Sequence, residues 1–231
     1  MKRAALLSLL ALIAGVGLIG FAMACYPGGT VFDPTVRGHS FWLNHLCDLT
    51  GAAACNGQPN GIAAPAARAG LASFAVAMAA FWVAMPALFP GRPRVALVVR
   101  VAGATSALGL AVLTLVPPGP GPMHAIVVFG AALPGLAAAV ASAVALFRFA
   151  GDRVLGLLAA GTLLAGAIDA AIYARKTIVH PDVYTPSIPI IQRLAFLLML
   201  AWMAAVAVRV LSLKLRRPAA QAAADRRSNP R

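Results

Sequence analysis

Six apolar runs, each bounded by polar or turn-forming residues, divide the chain at 4–24, 67–89, 95–116, 123–147, 154–174 and 188–213. Each is near or above the roughly 20 residues an α-helix needs to cross the hydrocarbon core of a bilayer. Between them stand Pro90-Gly91-Arg92-Pro93, Pro117-Pro118-Gly119-Pro120-Gly121-Pro122 and the stretch from His180-Pro181 to Pro189. Proline and glycine end helices there, and short connections make consecutive helices antiparallel. The pattern predicts an all-α polytopic membrane protein, a six-helix up-and-down transmembrane bundle forming one domain over 1–213. Residues 214–231 form a basic tail, expected to be disordered. Residues 25–66 make the one long connection, expected as a structured extracytoplasmic loop.

Composition strengthens this picture. The chain of 231 residues is 61% hydrophobic and 11% charged, with a mean hydropathy of +0.86, outside the range of water-soluble domains. A net charge of +13 raises nucleic acid as a partner, but the basic residues flank apolar runs instead of lining one face, so nucleic acid is set aside. With the N-terminus inside, 14 of the 19 basic residues fall on inner flanks, from Lys2 and Arg3 through Arg92, Arg94 and Arg148 to the tail. That asymmetry predicts both termini in the cytoplasm, and the excess of Arg over Lys with abundant Ala points to a bacterial chain, so the expected location is a bacterial inner membrane. The bilayer is the expected partner, with anionic lipid headgroups a further one for the tail. A rival reading of the first run exists: Met1-Lys2-Arg3, an apolar core and Ala22-Met23-Ala24 before Cys25 imitate a cleavable signal, which would leave five spans.

The loop concentrates the polar chemistry. Tyr26-Pro27-Gly28-Gly29-Thr30 demands a tight turn, and residues 40–49 mix aromatic and polar side chains as a short interfacial helix would. In a helix Phe41, Asn44, His45 and Asp48 share a face, where a His and an Asp would serve as metal ligands, as an acid/base pair, or simply as a hydrated surface. Cys47 and Cys55 are disulfide candidates in an extracytoplasmic loop; free thiols are the alternative.

These loop motifs, Tyr26-Pro27-Gly28-Gly29-Thr30, Ser40-Phe41-Trp42-x-Asn44-x-Leu46-Cys47-Asp48-Leu49 and Asn56-Gly57-Gln58-Pro59-Asn60, resemble an uncharacterised bacterial membrane family of unknown function. That family is similar to the Frag/DRAM/Sfk-like group of six-helix proteins. The resemblance implies an Asn/Asp motif in the first extracytoplasmic loop, a His opening a later helix and a Gln-Arg pair opening the last. His124 and Gln192-Arg193 occupy those places. It implies a fold and no reaction.

Ionisable residues inside spans are costly and usually functional. Asp169 lies about 9 Å below the outer end of the fifth run at 1.5 Å per residue, and Arg193 lies at a similar depth in the sixth. The two are expected to pair, fixing helix register or facing a ligand; a local answer to Asp169 from Tyr173 and Lys176 is the other arrangement. Gly156, Gly161 and Gly166 suggest close packing of the fifth helix.

No nucleotide-binding, redox or zinc-protease motif occurs, and the residues leave cofactor, metal and protein partners unassigned. The leading expectation is an outward-facing polar pocket built from His39, Asn44, Asp48, His124, Asp169, Gln192 and Arg193 that binds a lipid headgroup or small amphiphile. An alternative makes the cluster catalytic, a membrane hydrolase or acyl-transfer enzyme with His124, Asp48 and Asp169 as candidates. A third reads the chain as a scaffold or assembly partner.

Overall fold

The computed structural model describes residues 1–118, 122–179 and 185–213. The middle of the Pro-rich turn, His180 to Tyr184 and the whole tail from Lys214 lie outside them, as do the expectations placed on those segments. The described residues form six helices, α1 (Lys2–Cys25), α2 (Ala63–Ala84), α3 (Pro93–Leu113), α4 (Met123–Ala145), α5 (Arg153–Ala174) and α6 (Ser187–Ser212). A 3-10 turn extends α2 through Leu88, and π turns extend α4 through Ala150 and α5 through Val179. All six are long and apolar enough to cross a membrane, and the chain is an all-helical multi-pass membrane protein.

Helix boundaries follow local chemistry. α2 starts four residues before the apolar run because Pro65 sits in its first turn, where a missing N–H breaks no helical bond. α3 begins directly on Pro93. Large side chains such as Leu6, Leu10 and Ile13 on α1 and Leu97 and Val101 on α3 are exposed. In water such faces would be sticky patches; in hydrocarbon they are the solvent-facing surface.

Consecutive helices pack pairwise, α1 closes the ring against α6, and α2 also reaches α6. Small residues allow the close approaches. A side chain at Gly15 would strike the Phe74 ring, and one at Gly103 would strike Trp82. At Gly109 it would meet the Ala131 backbone. Ser8 Oγ donates to the Ala77 carbonyl at 2.9 Å, tying α1 to α2. Phe81, Trp82 and Trp202 form an edge-to-face aromatic cluster, with Trp202 5.0 Å from Phe81 and 5.8 Å from Trp82 between ring centroids.

α5 departs from the expectation of close glycine packing. Gly156 is tight against Phe147, but nothing lies near Gly161, and Gly166 reaches Leu136 only at ordinary contact distance. α5 is the least buried of the six helices and α2 the most. The room left beside α5 becomes a cavity.

Candidate functional site: a cavity beneath the first loop

The loop that roofs the cavity has almost no regular structure, so side chains must satisfy its backbone. Gly28 (φ +142°) and Gly29 (φ +83°) turn the chain after α1, and a Cβ on Gly29 would collide with the Asn56 backbone. Asn44, fully buried, accepts from the Ser40 N–H at 2.8 Å and donates to the Gly29 carbonyl at 2.9 Å and to Asp48 Oδ2 at 3.2 Å. Asp48 Oδ2 also accepts from the His45 N–H at 2.8 Å, which caps a 3-10 turn over Leu46–Thr50. Asn60 Nδ2 donates to the carbonyls of Leu49 and Gly51, and Arg68 of α2 donates to the Thr50 carbonyl. The expected helix over 40–49 is therefore replaced by turns. Asn44 and Asp48 still meet, through hydrogen bonds that a continuous helix would not need.

Arg193 completes this fold from α6. It is 0% exposed. Its Nε donates to the Phe41 carbonyl at 2.9 Å, its Nη2 to the Asn44 carbonyl at 2.8 Å, and its Nη1 to Gln192 Oε1 at 3.2 Å. Gln192 Oε1 accepts in turn from the Leu46 N–H at 2.9 Å. The expected Asp169–Arg193 ion pair is not formed. Among the described residues the ion pair is Asp152–Arg209, at the opposite end of the bundle. Arg193 is engaged by loop carbonyls, which also removes it as the group that would hold an anion.

His39 is likewise part of the packing. Its ring meets Tyr26 edge-on at 5.6 Å, and burial, with the nearby Arg193 charge, pushes its pKa down to about 4. Of the two alternatives for Cys47 and Cys55, the structure has free thiols and no disulfide between them. They face different surroundings. Cys47 lines the cavity, whereas Cys55 sits on the Tyr26 side, its backbone N–H donating to the Tyr26 hydroxyl at 2.9 Å. Burial pushes the Cys47 thiol up to about 12, which leaves it unreactive near neutral pH.

Below this roof lies a cavity of about 820 Å³ lined by α2 to α6 and the loop, within the range of small-molecule sites. Toward the loop it is polar, with His45, Asp48, His124, Lys176 and Gln192 on its walls; farther in it is aromatic, with Phe74, Phe81, Trp82, Phe196 and Trp202. α6 lines it from Ile188 to Met203, a rise of about 22 Å at 1.5 Å per residue. α5 presents Thr162, Gly166, Asp169, Tyr173 and Lys176 to it, spaced by three and four residues as one helical face requires. The π turn after α5 keeps Thr177 on the same wall.

The structure thus divides the expected pocket in two. Asp48, His124, Asp169 and Gln192 line one cavity, while His39, Asn44 and Arg193 build its roof. His124 opens α4 with Nδ1 2.8 Å from the Val116 carbonyl; a carbonyl can only accept, so Nδ1 carries a proton, and in the neutral ring Nε2 is the acceptor. Among the described residues no group of three or more His, Cys, Asp and Glu is arranged to hold a metal ion. Sequence reasoning placed His45 on the right face yet passed over it, and it passed over Trp82 and Trp202 entirely. Aromatic residues in apolar runs carry no mark that separates a cavity wall from a packed core. Comparison of the chain with protein-family models, curated proteins and solved structures gives no match, so the site is read from its own chemistry.

Proposed function

We propose that this protein binds a small amphiphile in the cavity, with its polar group toward the first loop and its apolar body among α2, α4, α5 and α6. The mixed lining of the cavity carries the reading: His45, Asp48, His124, Lys176 and Gln192 belong to the loop and to the helix ends that meet it, while Phe81, Trp82 and Trp202 line it farther along their helices. An entirely apolar cavity would suit hydrocarbon alone, and an entirely polar one would hold water. His124 Nε2 and the Gln192 amide are the contacts proposed for the polar group.

In the same proposal the loop end faces outward from a bacterial inner membrane, supported by the concentration of basic residues on the other flanks.

The test is to narrow the cavity without touching its roof. Ala170 lines the α5 wall, and Ala170→Trp places an indole in the space. Lipid extraction and mass spectrometry of the purified protein should find an amphiphile with the wild type at near-stoichiometric level and at least tenfold less with the variant. Equal amounts in both would overturn the reading.

A further inference from the structure

Asp169 is the anomaly of the cavity. It stands within α5, nine residues from Ile178 at the end of the apolar helix, about 13 Å along the axis at 1.5 Å per residue. Its side chain lines the cavity and is not fully buried. Among the described residues it makes neither a hydrogen bond nor an ion pair. Every other acidic side chain among the described residues has polar partners: Asp33 takes the Thr35 hydroxyl and N–H, Asp48 takes Asn44 and His45, and Asp152 takes Arg209 and the Leu155 N–H.

A carboxylate at this depth in a membrane is expensive unless a positive charge answers it. Neither cation expected to answer it does so: Arg193 is engaged by the loop, and Lys176, two turns on along the same α5 wall, forms no ion pair with Asp169. The surroundings of Asp169 are of a particular kind. Tyr173, one turn on along the same face, packs its ring 5.6 Å from that of Phe129 on α4, and both rings line the cavity. Phe74, Phe196 and Trp202 line it from α2 and α6. Aromatic faces attract cations through the ring quadrupole, most strongly when water is excluded. A carboxylate on the wall of a space of about 820 Å³ that aromatic rings also line suits an organic cation of drug-like size.

We propose that the cavity selects amphiphiles carrying a positive charge on an apolar body, an ammonium or phosphonium class of ligand, with Asp169 as its counter-ion and the Phe129–Tyr173 pair beside it. This rests on the reading of the cavity as an amphiphile site and names its substrate class. The ammonium of an aminophospholipid and that of a free lipophilic amine share this chemistry. Neutralising Asp169 removes the selection without emptying the cavity, because the aromatic walls remain.

Two ions of the same shape and opposite charge, tetraphenylphosphonium and tetraphenylborate, separate charge from hydrophobicity. With the purified full-length protein, equilibrium binding should favour the phosphonium at least tenfold. Asp169→Asn, nearly the same in size, should weaken the phosphonium at least tenfold and leave the borate unchanged or tighter, while Asp169→Glu should restore most of the preference. Equal binding of the two ions to the wild type, or a phosphonium affinity unmoved in Asp169→Asn, would overturn the cation proposal while leaving the amphiphile site standing. Binding of neither ion, with no amphiphile co-purifying, would overturn both. An aminophospholipid that co-purifies with the wild type, is absent from Asp169→Asn and is displaced by the phosphonium would identify the lipid as the source of the cation. Displacement of a non-lipid amine would identify the free form.

Discussion

Arg193 and Asp169 stand on neighbouring helices, each carrying a charge into an apolar bundle, and the structure treats them in opposite ways. The guanidinium is wholly buried and each of its nitrogens donates a hydrogen bond, two of them to loop carbonyls more than 140 residues away in sequence. The carboxylate faces a cavity without a partner among the described residues. A satisfied buried charge organises structure; an unsatisfied one on a cavity wall is costly until something answers it, which is the ground of the proposed cation site. The same division runs through the two regions: a densely bonded roof fixed to α2 and α6, and a loosely packed α5 wall with room beside it.

The largest effect should come from breaking the roof. Arg193→Ala deprives the Phe41 and Asn44 carbonyls of a charged donor, each contact contributing about 1.5–3 kcal/mol. The variant should lose on the order of 4 kcal/mol, seen as a fall in the thermal midpoint and rapid protease cleavage within 26–62. Asp169→Asn should leave both readouts at the wild-type level. If the two variants unfold alike, the contrast between roof and wall fails.

Acid should act on the roof next. The folded state holds His39 near about 4 against an ordinary 6.5, and His45 is also lowered, chiefly by burial, with Asp48 opposing and Lys176 and Arg193 adding to the effect. An unfolded chain therefore takes up protons that the folded loop refuses, and stability falls as pH drops from 6.5 toward about 4. Thermal midpoints measured across that window should decline for the wild type and decline less for His39→Phe. A flat wild-type profile would contradict the buried neutral histidine.

A smaller effect sharpens the picture. Tyr26→Phe removes the acceptor for the Cys55 N–H and should cost about 1 kcal/mol, measurable as a modest increase in loop cleavage. Reductant should change nothing, since the cysteines are free; a reductant-dependent midpoint would reinstate the Cys47–Cys55 bond.

The six helices were legible because apolar run length is set by bilayer thickness, and the Pro- and Gly-rich breaks fall where the structure turns. The loop was legible as a place and illegible as a shape. Helical spacing from Phe41 to Asp48 suggested a helix, yet Asn44, Asn60 and Arg68 satisfy the backbone in its place, and partners so distributed leave no periodic trace. Arg193 was visible as an intramembrane charge, but its partners are main-chain carbonyls, which every residue possesses. Asp169 was recognised from its cost alone. Its loneliness is a property of packing, as is the open space beside Gly161 that spacing suggested would be filled.

The central claim is that the α5 wall encloses an amphiphile and does not close on its neighbours. A density map of the full-length protein, extracted from membranes and held in lipid nanodiscs, tests it most directly. The account predicts elongated non-protein density between Gln192 and Trp202 of α6 and the α5 wall, with its charged group against Asp169. Side chains of α4 and α6 filling that space, with Asp169 bonded to one of them, would contradict it.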